Sequence, residues 1–65
     1  MPFLTGEQVK ALQAAIEMAR SKRGIHSVHA SDGEVFAYRF NDEVYWQVFN
    51  ANYAKVAKGS VPIRP

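Results

Sequence analysis

The chain has 65 residues and a mass of 7.3 kDa, which is enough for one small domain. Hydrophobic residues make up 48% of it, a share typical of a globular protein and too high for a disordered one. The absence of cysteine excludes disulfides, cysteine-ligated zinc, iron–sulfur clusters and thiol catalysis. The net charge of +2 permits an acidic partner without requiring one.

No apolar run is long enough to span a bilayer, so no contact with a membrane is predicted. The first residues lack the basic start and apolar centre of a secretory signal. We therefore expect a cytoplasmic protein.

A helix is predicted to begin after Thr5, which can act as its N-cap. Gln8 follows three residues later, where a capping box requires Glu or Gln. The end of the helix is basic, which suits the negative end of the helix dipole, and Gly24 is expected to stop it. Apolar residues recur at helical spacing on one predicted face: Val9, Leu12, Ala15, Ile16 and Ala19.

A β-hairpin is predicted next, because Asp32-Gly33 is a strong signal for a two-residue turn. Folding about this turn pairs Ala30 with Val35. Since side chains alternate between the faces of a strand, small residues share one face and larger ones the other. The first face carries Val28, Ala30, Val35 and Ala37. The second carries Ile25, Ser27, His29, Phe36, Tyr38 and Phe40. Either face could meet the rest of the protein.

The segment from 41 to 58 fits two structures. Between 44 and 49 it is rich in β-branched and aromatic residues, which favours a strand. Over the whole window the helical period fits better, with an N-cap at Asn41 and a stop at Gly59. A second helix is therefore predicted, with one face formed by Tyr45, Trp46, Phe49, Tyr53, Val56 and Ala57.

The predicted fold class is α+β, a two-layer helix–β-hairpin–helix (αββα) domain. Its ordered core covers about residues 5–59, and 60–65 form an extended tail with two prolines. The alternative is an N-terminal helix plus a three-stranded antiparallel meander. In size, element order and its Asp-Gly hairpin, the αββα layout is similar to small head-to-tail joining proteins of tailed bacteriophages. That resemblance implies an accessory or regulatory protein of phage or plasmid type.

No catalytic, cofactor-binding or metal-ligating residue is predicted. His26 and His29 lie three apart in a strand, so they point to opposite faces and cannot chelate one ion. The serines lie outside any nucleophile motif, and the glycines do not form a phosphate-binding loop. The sequence therefore predicts a protein that is not an enzyme.

Basic and aromatic side chains are the candidates for binding a partner. The simplest interpretation places the rings in the core. In the alternative, the small face of the hairpin packs on the helices, and Phe36, Tyr38 and Phe40 form an exposed strip flanked by His29 and Arg39. The candidate binding residues are Arg20, Lys22, Arg23, His29, Phe36, Tyr38, Arg39, Trp46, Lys55 and Lys58.

The predicted function is a non-catalytic binding or assembly module that contacts another protein chain or associates with itself. The alternative is a small basic nucleic-acid-binding protein. Its helix-end arginines and lysines would contact phosphates, and its rings would stack on bases.

Overall fold

The computed structural model describes residues 4–64, which form one helix and four strands. Helix α1 spans Gly6–Ser21, and the strands are β1 (Ile25–Ala30), β2 (Gly33–Phe40), β3 (Glu43–Asn50) and β4 (Lys55–Pro62). Each strand pairs antiparallel with the next, in the order β1-β2-β3-β4. Helix α1 lies on one face of this sheet and contacts β1, β2 and β3. The α+β class and the two layers are confirmed.

Helix α1 begins as predicted. The Gln8 backbone N–H donates to Thr5 Oγ1 (3.1 Å), and the Thr5 backbone N–H donates to Gln8 Oε1 (3.1 Å), which completes the capping box. At the other end Lys22 leaves the helix with an extended backbone. Gly24 then turns the chain into β1 with a φ of +104°, a conformation that favours glycine.

The buried face of α1 is a ridge of alanines at 11, 15 and 19. The predicted stripe is rotated from this ridge, since Val9 is exposed and Leu12 and Ile16 are only half-buried. Alanine has no side chain beyond Cβ, so the helix backbone can approach the sheet closely. The larger apolar side chains of α1 lie beside the contact instead of inside it.

The β1–β2 hairpin is confirmed, but its turn is Ser31-Asp32, because Ala30 pairs with Gly33. The pairing is shifted by two residues from the predicted one, and an even shift leaves every side chain on its predicted face. Gly33 lies inside β2 because a Cβ there would overlap the carbonyl oxygen of Phe49. Glycine is therefore required at position 33 because the backbone of β3 comes so close, and not because the turn needs a positive φ.

The predicted second helix is wrong, because residues 43–62 form β3 and β4. Asn41 is not an N-cap but adopts a φ of +56° in the turn between β2 and β3. Asn50 Oδ1 accepts bonds from the N–H groups of Asn52 (2.9 Å) and Ala54 (3.0 Å) and so shapes the β3–β4 turn. The alternative, an N-terminal helix plus an antiparallel meander, is closer to the observed fold than the αββα prediction. The observed meander has four strands and not three.

The element order that resembled the phage joining proteins is therefore not that of this chain. Pairing along β2 decided the outcome, since all eight residues of β3 have a partner there. Such long-range pairing overrides a local helical period.

The predicted C-terminal tail is extended, but its first three residues belong to β4. Beyond the strand, the Ile63 N–H donates to the carbonyl oxygen of Asp42 (3.0 Å), and Ile63 packs against the core. Pro65 lies outside the described residues. The end of β4 is thus fastened to the β2–β3 turn.

The core lies between α1 and the sheet and consists of small side chains. The largest fully buried ones are three valines. Trp46, Leu12 and Ile16 pack around this core without being fully buried. Its buried apolar members are Ala11, Ala15, Ala19, Ala30, Val35, Ala37, Val44 and Val48.

Candidate functional site: the open face of the sheet

The face of the sheet that turns away from α1 carries most of the large rings. Strands β2 and β3 place their valines and alanines under the helix, so the alternate residues lie on the other side. We call this side the open face. Its rings lie on the two inner strands and form a group that we call the aromatic strip: Phe36, Tyr38, Phe40, Tyr45 and Phe49.

The rings of the aromatic strip pack against one another. Phe36 and Phe49 meet edge to face, with centroids 5.6 Å apart and planes at 83°. Tyr38 and Tyr45 are stacked at 5.6 Å and 19°, and Phe40 lies 6.3 Å from Tyr45. Tyr38 nevertheless remains 37% exposed and Phe40 58% exposed. The aromatic strip is therefore a contiguous apolar surface that stays partly exposed.

Polar residues border the aromatic strip on both outer strands. On β4, Lys55 pairs with Phe49 and Lys58 pairs with Gln47, so both lysines lie on the open face. On β1, His29 lies beside Glu34, with 3.4 Å between Nδ1 and Oε1. Ile25 of β1 also lies on the open face, beside Tyr38, and is 77% exposed. The open face thus combines an aromatic centre with a rim that is polar except at Ile25.

Charges on the open face are balanced. Glu34 and Glu43 stand on the inner strands, and Lys55 and Lys58 stand on β4. The excess positive charge of the chain therefore comes from other surfaces. A groove of about 420 Å³ runs beside the lysines and is lined in part by Tyr38, Tyr45, Gln47, Lys58 and Ser60.

Two of the predicted binding arginines lie elsewhere. Arg39 is on the helix side of β2, where its Nη1 donates to the carbonyl oxygen of Arg20 at the end of α1 (3.3 Å). Arg20 Nη2 in turn donates to the carbonyl oxygen of Pro62 (3.1 Å). The expectation that Arg39 flanks the exposed rings is wrong. A cation at the C-terminus of a helix complements the helix dipole, which accounts for both arginines structurally.

The other predicted basic residues do not converge into one patch. Lys22 and Arg23 are exposed between α1 and β1. Lys55 begins β4, whereas Arg20 bonds to Pro62 at the far end of that strand. The predicted convergence depended on a second helix that this chain does not have.

Trp46 also differs from its predicted role, because it lies on the helix side of β3. Its ring covers Gly59 of β4, where an added Cβ would come within 2.6 Å of Trp46 Cζ2. Trp46 therefore closes the edge of the core. Tyr45 and Phe49, which were assigned to a helix, belong to the aromatic strip instead. Side chains of β3 alternate between the two faces of the sheet, and this alternation was the signal in the sequence for a strand. Val44, Trp46 and Val48 lie on the helix side, and Tyr45, Gln47 and Phe49 lie on the open face.

The two histidines lie on opposite faces, as predicted. His26 Nε2 is 3.0 Å from the carbonyl oxygen of Lys22, and His29 stands on the open face. Within residues 4–64 there is no group of three or more His, Asp or Glu side chains that could hold a metal ion. The helix in the described part of the chain is too short and too polar to cross a membrane.

The chain matches no protein-family model, and its comparison with curated proteins and with solved structures finds no significant match. Its function must therefore be inferred from the open face itself.

Proposed function

We propose that this protein is a non-catalytic binding module that engages another protein chain through the open face of its sheet. The observation that carries the proposal is the aromatic strip, a continuous row of rings on a sheet face that α1 leaves uncovered. Aromatic anchors surrounded by polar groups dominate the binding energy of protein interfaces. The lysines on β4 would orient the partner and raise the association rate.

The geometry of the rings favours a protein over a nucleic acid. Bases stack on ring faces that are free, whereas Tyr38 and Tyr45 stack on each other. Glu34 and Glu43 also stand on the open face, where they would repel a phosphate backbone. Arg20 and Arg39 already donate to backbone carbonyls on the helix side.

The open face also supports binding without catalysis. Its polar side chains stand in rows on a sheet, while most active sites enclose their substrate in a cleft. A sheet held by ladders of hydrogen bonds is a rigid platform, which lowers the entropic cost of binding.

Affinity capture from a lysate of the native host, followed by mass spectrometry, tests the proposal. The immobilised chain is compared with Tyr38→Glu on the open face and with Val9→Glu on the outer side of α1. The two positions are matched, since Tyr38 is 37% exposed and Val9 is 38% exposed. We expect the wild type and Val9→Glu to retain the same protein and Tyr38→Glu to lose it. Retention by Tyr38→Glu would show that the open face is not the binding surface.

Nucleic-acid binding remains the second candidate, because Lys55 and Lys58 lie beside the aromatic strip. It predicts an affinity for labelled oligonucleotides that falls with salt, with a log–log slope of roughly −0.7 to −0.9 per phosphate neutralised. Fluorescence anisotropy with single-stranded and duplex oligonucleotides measures this slope. Binding at about 50 mM salt that Lys58→Ala weakens would favour the second candidate over the first.

A further inference from the structure

We infer that the occupant of the open face is a second copy of this chain, joined face to face in a symmetric dimer. The inference rests on the proposed function, in which the open face is the binding surface. It specifies the partner from three properties of that face: its area, the position of its rings and the position of its charges.

One helix provides each copy with only a thin core, and this leaves the open face without a covering layer. The largest fully buried side chains, Val35, Val44 and Val48, are all on the helix side. The rings of the aromatic strip have no second layer above them within residues 4–64. A second sheet placed on the open face would supply that layer and convert two thin domains into one sheet-on-sheet core.

The area of the open face reaches the lower limit for a specific dimer. Strands β2, β3 and β4 each have eight residues, and the sheet has four strands. At ~3.3 Å per residue and ~4.8 Å per strand, the face measures ~26 by ~19 Å, or ~500 Å². Two copies would bury ~1,000 Å² in total, which is the lower limit for a specific interface. A second copy presents a face of the same size and outline.

The position of the tyrosines gives the open face a self-complementary centre. The aromatic strip occupies β2 and β3, which are the two inner strands. A two-fold axis parallel to the strands, in the plane between two copies, places β2 of one copy over β3 of the other. Tyr38, which pairs with Tyr45 within the sheet, then lies over Tyr45 of the second copy. The tyrosines of the two copies meet at the centre of the dimer, whereas Phe36 lies over Gln47 and Phe40 over Glu43. Strand β1 of each copy lies over β4 of the other.

The same axis brings opposite charges together. Glu34 pairs with Phe49, and Phe49 pairs with Lys55, so the three residues form one row across the sheet. Rotation about the axis places Glu34 of each copy over Phe49 of the other, next to that copy's Lys55. The dimer thereby gains two equivalent ion pairs. His29, which pairs with Glu34 in the same row, comes to lie over this Lys55. Since the charges of the open face are balanced, the two copies do not repel each other.

Sedimentation equilibrium of the full chain over a dilution series tests the dimer. We expect the wild type to reach twice its mass of 7.3 kDa. Glu34→Lys alone and Lys55→Glu alone place like charges together twice per dimer. Each variant should raise the dissociation constant on the order of ten-fold.

An equimolar mixture of the two charge variants is the decisive sample. In a mixed dimer each introduced charge faces an opposite charge on the other chain, so the affinity should return to that of the wild type. Mixing cannot change contacts within a chain, so recovery must come from the interface. Lys10→Glu, on the exposed side of α1, is the control with the same change of charge as Lys55→Glu and should dimerise like the wild type. Far-UV circular dichroism verifies that every variant is folded.

Three results would overturn the inference. The first is a wild type that sediments as a monomer at every concentration of the dilution series. The second is a dimer that Tyr38→Glu and both charge variants leave unchanged. The third is a mixture that does not recover affinity, which would exclude this axis. A monomeric chain that still captures a different protein through the open face would refute the dimer and leave the proposed function standing.

Discussion

The two faces of the sheet carry different kinds of apolar residue, with Trp46 at the edge of the core as the exception. On the helix side the buried residues of β2 and β3 are Val35, Ala37, Val44 and Val48, whereas the open face carries phenylalanines and tyrosines that stay partly in solvent. The difference follows from the alanine ridge of α1, which holds the helix so close that only small side chains fit beneath it. Large rings therefore do not locate the core of this protein; the closeness of helix and sheet does.

At both ends of the helix side, polar side chains join α1 to the sheet by hydrogen bonds. Gln8 is buried and its Nε2 donates to the carbonyl oxygen of Asp32 (3.2 Å), which joins the start of α1 to the β1–β2 turn. At the other end Arg39 and Arg20 join the helix to the sheet. No helix or polar side chain covers the open face in this way among the described residues, and Tyr38 and Phe40 stay exposed there.

The largest predicted effect concerns the closest approach on the helix side. We expect Gly33→Ala to lower the free energy of unfolding by about 3 kcal/mol, because its Cβ would overlap the carbonyl oxygen of Phe49 and force the strands apart. Urea denaturation at a concentration where the chain is monomeric measures the loss. Gly6→Ala is the control, since nothing lies within 4 Å of a Cβ there, and it should be neutral or stabilising. Equal stability of the two variants would contradict the close approach.

The next prediction compares the two faces directly. Val48→Ala should cost about 2 kcal/mol, because it leaves a cavity in the core. Phe40→Ala removes a larger side chain but should cost less than about 1 kcal/mol in the monomer, because the ring is 58% exposed. The same denaturation experiment measures both. If Phe40→Ala were the more damaging variant, the open face would belong to the core of the monomer.

A smaller effect is expected at the helix N-terminus. Gln8→Ala removes half of the capping box and leaves the Asp32 carbonyl without its side-chain donor. The expected loss is about 1.5 kcal/mol. Gln13→Ala, at an exposed position of α1, should change stability by less than about 0.5 kcal/mol. Thermal unfolding followed by circular dichroism compares the pair. Because alanine is the better helix former, a similar loss in both variants would contradict a specific contribution of the two Gln8 hydrogen bonds.

The smallest effect is expected from the basic loop after α1. Replacing Lys22 and Arg23 together by alanine should change the free energy of unfolding by less than about 0.5 kcal/mol, because both side chains are exposed. Arg20→Ala should cost about 1 kcal/mol, since it removes the bond to the Pro62 carbonyl. Chemical denaturation separates the two variants. An equal cost would mean that the bond of Arg20 does not contribute to stability.

Much of the N-terminal half could be predicted from the sequence. The capping box of Thr5 and Gln8 was found because its two residues are three positions apart. The sorting of the hairpin into a small face and an aromatic face was also correct, even though Gly33 lies in the strand and the pairing is shifted. That sorting put three members of the aromatic strip, Phe36, Tyr38 and Phe40, on one face. The interpretation that placed these rings in the core is wrong, since Tyr38 and Phe40 are exposed.

The rest of the candidate site could not be predicted in the same way. Tyr45 and Phe49 occupy positions that suit one face of a helix and also one face of a strand. The choice between them depends on β2, which offers its backbone N–H and C=O groups along the whole length of β3. The pairing of β3 with β2 joins residues up to 17 positions apart, such as Gly33 and Asn50, so a search for local periodicity within residues 43–50 does not detect it.

The sequence by itself thus determined where α1 begins, that residues 25–40 form a hairpin, and which of their side chains share a face. These features depend on residues a few positions apart and on the alternation of a strand. Only the tertiary structure decided that residues 43–62 extend the sheet and that the small face meets the helix. Strand pairing satisfies backbone groups with distant partners, and the alanine ridge admits only small side chains beneath it. Both effects become visible only when remote parts of the chain are brought together.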